Sequence, residues 1–563
     1  MADLVIRDAL VCDGTGTPAA RGDLAVTGGK ITSVGGRAER GTTEIDAGGL
    51  ALAPGFIDVH THYDCQLFWD PHATPSPWHG VTTVVMGNCG FTVAPCRPSD
   101  RETLMRLLLY VEGMPIATLR AGIPWTWEDY PGYLDAVERN GIGVNVVSFI
   151  GHSAIRVQVM GAAALERTAT AEERAAMAAL VREGVVAGAI GWSTSMSPTH
   201  FFGDTGHPAP SRLADRDELL ALAGALRDLD RGVIEIAPGS TIGSADDRIA
   251  EVERYADLAR ASGKLVSFAP LLDSPFTPGV SQTIIGMAAD LQRQGVQIVP
   301  QVGCRPLELR FDFAAPAFGL ENNPFWKPFM ALPREERTRR FADPAFRREL
   351  AAMDRFVLAL APSFDQLFVR VAAGDRHRAL QDRSVAELAK ARGQSPVDAF
   401  CDLVLEENLE TQWGAVVMNA EGGGVEALIK NPAGLLALSD AGAHVDTLCD
   451  QGFTTWLLGK WVRERGALGL EEAVRLLTSV PADRYGLHGR GRLAPGNAGD
   501  LVLFDPKRVG TRATELVHDL PGGQRRLLQR ADGVEYVFVN GAAVVERGAP
   551  VDRRPGRVLR GGH

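Results

Sequence analysis

The stretch PGFIDVHTHYD, residues 54–64, ends an apolar run with His60 and His62 one residue apart. On a strand, residues i and i+2 point to the same side, so both imidazoles can face one cation. Zinc accepts imidazole, thiolate and carboxylate ligands, and the other two types stand at the ends of comparable apolar runs. Cys89 lies in GNCG, a tight turn without bulky neighbours, where a thiolate can approach a metal. Asp440, in LALSDAGAH, can ligate a metal and also take a proton from a water that the metal has acidified. Each has a plainer reading: core histidines bonded to neighbours, a small buried cysteine, and an aspartate capping the next helix.

These residues need elements to hold them. Short apolar runs alternate with helical stretches: FIDVH (56–60), VTTVVMG (81–87), VNVVSFIG (144–151), AIGWSTS (189–195), VIEIAPG (233–239), LVSFAP (265–270), VQIVPQ (296–301) and LLALSD (435–440). Runs apolar on both faces suit parallel strands covered by helices, and this alternation predicts an α/β chain with a (β/α)8 TIM-like barrel. In such a barrel chemistry gathers at the C-terminal ends of the strands. Those ends carry His60 and His62, Cys89, His152, Ser193 and Ser195, Glu235, Ser267, Gln301 with Arg305, and Asp440 with His444. Polar groups are costly to bury unless they are partnered or doing chemistry. Arg305, in QVGCRP, suits a substrate carboxylate through two parallel hydrogen bonds, or else a structural ion pair.

Helix starts agree with this layout. Thr170, Asp215 and Ser384 each precede Glu173, Glu218 and Glu387 by three positions, the spacing of a capping box. Both ends of the chain read differently, as β-branched runs cut by Gly-Gly or Asn-Gly turns, the pattern of hairpins. The expected division is 1–52 and 486–563 as two halves of a small β-sandwich, with the barrel over 53–485. A long insertion at about 305–430 includes the aromatic stretch NNPFWKPFMALP and would cover the barrel mouth.

With 563 residues and a formal net charge of -11, the chain is large enough for a substantial core and carries the wrong sign for nucleic acid or an anionic membrane. Its basic cluster, Arg334 to Arg348, is interleaved with Glu335, Glu336 and Glu349 and reads as a solvated helix face. No secretory pattern or apolar run of spanning length is present, and the seven scattered cysteines read as reduced thiols, so a cytoplasmic chain is expected.

At PGFIDVHTHYD, GVTTVVMGNCG, GHSAIR (151–156), SDAGAH (439–444) and RLAPGNAGDLVLFDP, the chain resembles the metal-dependent amidohydrolase superfamily, most closely its N-acyl-D-amino-acid deacylase (D-aminoacylase) branch. The resemblance implies His60 and His62 as metal ligands, Cys89 as the branch's thiolate ligand, and Asp440 as the acid-base residue, which by its own chemistry either ligates as well or stays free as the base. It makes His152 a group of the pocket or one that steadies a ligand. That branch also carries ligating histidines on strands five and six. Here those strands read IEIAPGS and LVSFAPLL, with Glu235 the one ligand-capable side chain on strand five and Ser267 a poor donor on strand six.

The expected function is hydrolysis of a C–N amide bond in a small N-acyl amino acid or related amide through a metal-activated water, with one zinc ion rather than two. His152 or His444 would donate to the developing oxyanion, and Arg305 would hold a carboxylate. The same lost histidines leave two other readings: a cyclic-amide hydrolase or a non-hydrolytic enzyme such as a decarboxylase, and a metal-free binding protein. The partner expected is a small-molecule amide, and the resemblance implies pairing into a homo-oligomer.

Overall fold

The computed structural model describes all residues except 204–205, 241–242, 316–319, 321–322, 324, 353–360 and 421. Positions 322 and 324 of the stretch NNPFWKPFMALP therefore lie outside the described residues. Each of the eight apolar runs carries a strand: Phe56–Asp58, Val81–Met86, Asn145–Ser148 continued as Ile150–Gly151, Gly191–Ser195, Val233–Ala237, Leu265–Leu271, Ile298–Val302 and Leu435–Leu436. All of their pairings are parallel and follow chain order, first to second to third, then from Ile150–Gly151 through the fourth to the eighth. The ladder is interrupted at Phe149, inside the third run, and among the described residues no strand pairing joins the eighth strand to the first, so the runs form a three-stranded and a six-stranded sheet instead of the closed barrel expected. At the other side Thr61 bridges Ala441, and the His62 amide donates to the Ala441 carbonyl at 2.7 Å.

The runs are apolar on two faces for the reason expected. Ile57, Val85, Val147, Ile190, Val233, Leu265, Val299 and Leu435, one at or beside each strand, join a single buried cluster. Residues beside them, such as Val84, Val146, Trp192, Ile234 and Val266, belong instead to the larger core shared with the helices. Leu559, from the tail that ends the chain, enters the first cluster, and its amide donates to the Val146 carbonyl at 2.8 Å.

Both ends of the chain meet in one nine-stranded sheet. Its halves are joined where Ala51–Pro54 pairs antiparallel with Leu501–Phe504. The sheet forks at Ala2–Val11, which pairs Gly41–Asp46 along its first half and Ala51–Pro54 at its end. Gly28-Gly29 and Asn540-Gly541 both have positive φ at their two positions, the backbone that a two-residue hairpin turn needs.

The insertion has its own antiparallel sheet, Leu307–Phe311, Gln412–Met418 and Leu367–Val371 in that order, and its own core around Phe311, Phe313, Trp326, Phe341 and Phe400. One arginine of the basic cluster departs from the expected solvated face. Arg337 is buried, with Nη1 donating to the Phe313 carbonyl at 2.6 Å, because the helix Arg334–Ala342 packs that turn against the aromatic core. The boxes at Thr170 and Ser384 form in full. Asp215 also caps its helix, but the Glu218 side chain turns inward instead of back to the cap.

Candidate metal centre

His60, His62 and Cys89 bring one donor atom each to within 4.8 Å of one another, all three buried. The thiol Sγ lies 3.5 Å from His60 Nε2. Asp440 Oδ1 lies 3.3 Å from His60 Nε2 and 3.4 Å from His62 Nε2, so the carboxylate faces the same point. Three of the four donors, His60, His62 and Asp440, sit past strands that end earlier than the apolar runs suggested. The first strand stops at Asp58 and the eighth at Leu436, which leaves His60 and Asp440 on the loops beyond. There the His60 amide donates to Asp58 Oδ1 at 3.2 Å instead of to a neighbouring strand.

Cys89 and Asp440 have φ of 57° and 48°. A left-handed backbone costs a non-glycine residue about 1–2 kcal/mol, so the surroundings must impose it. At Cys89 they do so through Asn88, whose Nδ2 donates to the carbonyls of Thr61 and Val85, and through Ser193 Oγ, which accepts the Gly90 amide at 3.0 Å. Glu235 Oε2 accepts the Cys89 amide at 2.6 Å. At Asp440, Ser439 Oγ donates to the His60 carbonyl, and Gly442 leaves no room for a side chain because a Cβ there would stand 2.5 Å from the His62 carbonyl oxygen.

The rings are oriented from behind. His60 Nδ1 lies 3.0 Å from Gln301 Oε1, and Gln301 Nε2 in turn donates to Ser267 Oγ at 3.0 Å and Tyr485 Oη at 3.3 Å. That arrangement puts the proton on Nδ1 and turns the Nε2 lone pair toward the centre. Behind His62, Nδ1 faces Glu112 Oε1 at 3.4 Å, the carboxylate–histidine pairing that steadies metal ligands. Glu112 ends the helix Arg101–Glu112 and was not singled out in the sequence. Its signal was a lone carboxylate closing the apolar stripe of Leu104, Leu108 and Val111.

Buried negative charge surrounds these donors. Burial pushes Glu112, Asp58 and Asp64 up to about 7 and Glu235 to about 8, against the opposing pull of His62 and of the hydrogen bonds that Asp58, Asp64 and Glu235 accept. Burial also raises the Cys89 thiol well above its ordinary value, with Glu235, Glu112 and Asp440 adding to it. His60 falls to about 4 through burial. For His62 burial is outweighed by Glu112, Asp440 and Asp64, which hold it up to about 9. Asp440 stays below its usual range because its bond to His62 and both imidazoles outweigh burial. A proton on His62 thus answers the acidic surroundings, and a divalent cation would answer them better, freeing imidazole and thiol as ligands. The donor set and its surplus of carboxylates fit a metal ion. On strands five and six, Glu235 is turned to the Cys89 amide and Ser267 to Gln301, and among the described residues no second cluster of three donors occurs.

The centre opens into a cavity of about 710 Å³. His444 and Arg305 line it, as expected, with His200 and Asp450, which the sequence reading missed. His200 lies in MSPTH, just past the fourth strand, and its Nδ1 is 2.6 Å from Ser195 Oγ. The His444 amide donates to the Glu112 carbonyl, tying the eighth-strand loop to that helix. Arg305 spans Asp450 at 3.3 Å and Gln529 Oε1 at 2.6 Å and lies over the Trp456 ring. His152 stands away from the cavity: its Nδ1 is bonded to Thr194 Oγ1 at 2.9 Å and its Nε2 to Glu218 at 2.7 Å, and Arg156 holds the same carboxylate. Glu235 likewise faces the Cys89 turn and does not line the cavity.

This fold belongs to a known class. A model of the amidohydrolase family matches residues 43–545, and the chain belongs to that family. D-aminoacylase of Alcaligenes xylosoxydans xylosoxydans is 28% identical over 99% of this chain and 97% of its own length. The N-acyl-D-aspartate deacylase of the same organism is 30% identical over 99% and 95%. Among solved structures, the N-acyl-D-glutamate deacylase of Bordetella bronchiseptica, complexed with zinc and a phosphonate mimic of the tetrahedral intermediate, matches with a TM-score of 0.67 at 25% identity, covering 99% of each chain. The resemblance read from PGFIDVHTHYD and GNCG is borne out, and with it the expectation of an amidohydrolase enzyme with a D-aminoacylase-like sequence. Among the described residues no helix is long and apolar enough to cross a membrane.

Proposed function

We propose that this chain hydrolyses the C–N amide bond of a small N-acyl amino acid, with one zinc ion held by His60, His62 and Cys89 and Asp440 beside it. When bound, the ion polarises the amide carbonyl and acidifies the attacking water. Asp440 takes the water proton and returns it to the leaving nitrogen, a role open to it because Oδ1 stands beside both imidazoles while its carboxyl stays ionised. His200 and His444, both on the cavity wall, are placed to donate to the oxygen that gains charge. Arg305 holds the substrate carboxylate, steadied by Asp450 and Gln529.

In this reading the eight parallel strands work as one closed (β/α)8 barrel over residues 53–485, and 1–52 with 486–563 form a β-sandwich domain beside it. Support comes from the chain-order pairing, the Thr61 to Ala441 bridge and the cluster drawn from all eight strands.

The observation that carries the proposal is the convergence of two ring nitrogens, a thiol and a carboxylate on one point. Elemental analysis after loading with zinc should give one equivalent per chain, and much less in His60→Ala and His62→Ala. Release of amine from N-acetyl-D- and N-acetyl-L-amino acids should fall roughly 100- to 10,000-fold in Asp440→Asn, with zinc retained. Two inactive histidine variants with a full complement of zinc, or no amine from any substrate, would defeat it.

A further inference from the structure

Strands five and six of the parallel set end alike, in IAPGS and FAPLL. Ile236 pairs with Phe268, so the two Ala-Pro ends follow side by side, and Ala237, Pro238, Ala269 and Pro270 all line the cavity. Proline has no amide hydrogen and the alanine side chain no polar atom, so the side chains of these four residues have nothing to donate. Leu272 and Phe276 extend the wall outward, with Ser274 and Thr277 interleaved as its polar side chains. Arg305 stands at the end of strand seven, between this wall and the eighth-strand loop that carries Asp440.

We propose that the Ala-Pro wall binds an apolar acyl group, well beyond acetyl in length, on the substrate of the proposed hydrolysis. The assignment rests on that reading, since the carboxylate at Arg305 and the carbonyl at the centre send the acyl arm toward strands five and six. An acetyl group occupies little more than a few waters of about 30 Å³ each. A cavity of about 710 Å³ is of the size that encloses a much larger molecule. A polar acyl group would give up its water against the Ala-Pro side chains, which cannot replace those hydrogen bonds, whereas each methylene removed from water favours binding. The reaction balances with water alone: the acyl–nitrogen bond breaks, the acyl carbon gains the water oxygen as a carboxylate, and the amine takes both water hydrogens and leaves as an ammonium ion.

The test is a series of N-acetyl, N-butanoyl, N-hexanoyl and N-octanoyl derivatives of one amino acid, in both enantiomers, with the zinc-loaded full chain. The expected result is a rise in kcat/KM of roughly three- to four-fold per methylene until the cavity is filled. Values that stay level or fall from acetyl to octanoyl would overturn the inference. If no member releases amine, hydrolysis itself fails, and equilibrium dialysis still reads the wall: octanoyl binding no tighter than acetyl overturns it. Ala237→Leu and Phe276→Ala should each lower the octanoyl-to-acetyl ratio at least tenfold. The ratio is taken within one preparation, so a partly folded variant does not shift it, and an unchanged ratio in both variants counts against this wall.

Discussion

Glu112 shows how a residue with no motif of its own governs one that has. His62 was legible because its spacing from His60 fixes a shared face, but the lone pair it offers depends on what stands behind Nδ1. That partner arrives from a helix fifty residues on, docked by packing that no local pattern announces. Glu112→Gln should therefore weaken zinc affinity about 10- to 100-fold, measured against a competing chelator, while the fold stays intact by circular dichroism. The same centre sets a pH dependence. Zinc must displace a proton from His62, held up to about 9, and from the still higher Cys89 thiol. Protons compete with the metal, so affinity should climb steadily from pH 6.5 to 9, and a level profile would contradict the ligand roles. Cys89 and Asp440 were found by their place at strand ends. Gln301 stood among the polar strand ends too, but its service as the prop of His60 comes from its neighbours Ser267 and Tyr485.

Among the elements, all eight parallel strands were readable, because each is a short run with apolar residues on both faces. Their ends were not. The first and eighth strands stop early so that His60 and Asp440 can leave the ladder, a choice made by hydrogen bonds to Asp58 and Ser439 and not by propensity. Glu218 makes the same point. Its spacing from Asp215 promised a capping box, yet a buried imidazole and guanidinium outbid one exposed amide for its carboxylate. The tail around Leu559 carried no local signal, being irregular chain whose Leu559 side chain fills the strand cluster while Val558 enters the larger core. Leu559→Ala should cost about 2–4 kcal/mol, read as a lower denaturant midpoint with little change in the zinc bound.

For the molecule as a whole, His79 is a joint. Its ring is buried between Thr455 Oγ1 at 2.6 Å and the Gln529 carbonyl at 3.0 Å, linking the segment before the second parallel strand to a late helix and to the C-terminal hairpin. Burial lowers it to about 4, against about 6.5 in the unfolded chain. The unfolded state therefore binds more protons between those values. The contribution of neutral His79 is whole above about pH 6.5 and is lost as pH falls toward about 4, an effect of about 3 kcal/mol. Melting temperature should drop less between pH 7 and pH 4.5 in His79→Gln than in the parent chain.

The sheet shared by both ends has a consequence for how the chain is made. Leu52 pairs with Leu503, so a strand near the start waits for a partner about 450 residues later. At roughly 5–20 residues per second on the ribosome, that wait lasts about 20 to 90 seconds. Through that interval the nascent chain carries the unpaired apolar edge of Ala51–Pro54, open to neighbours emerging from the same messenger. A slower supply of tRNA lengthens the exposure, and the yield of native protein in cells should depend on elongation speed and on holding chaperones more than on the stability of the finished molecule.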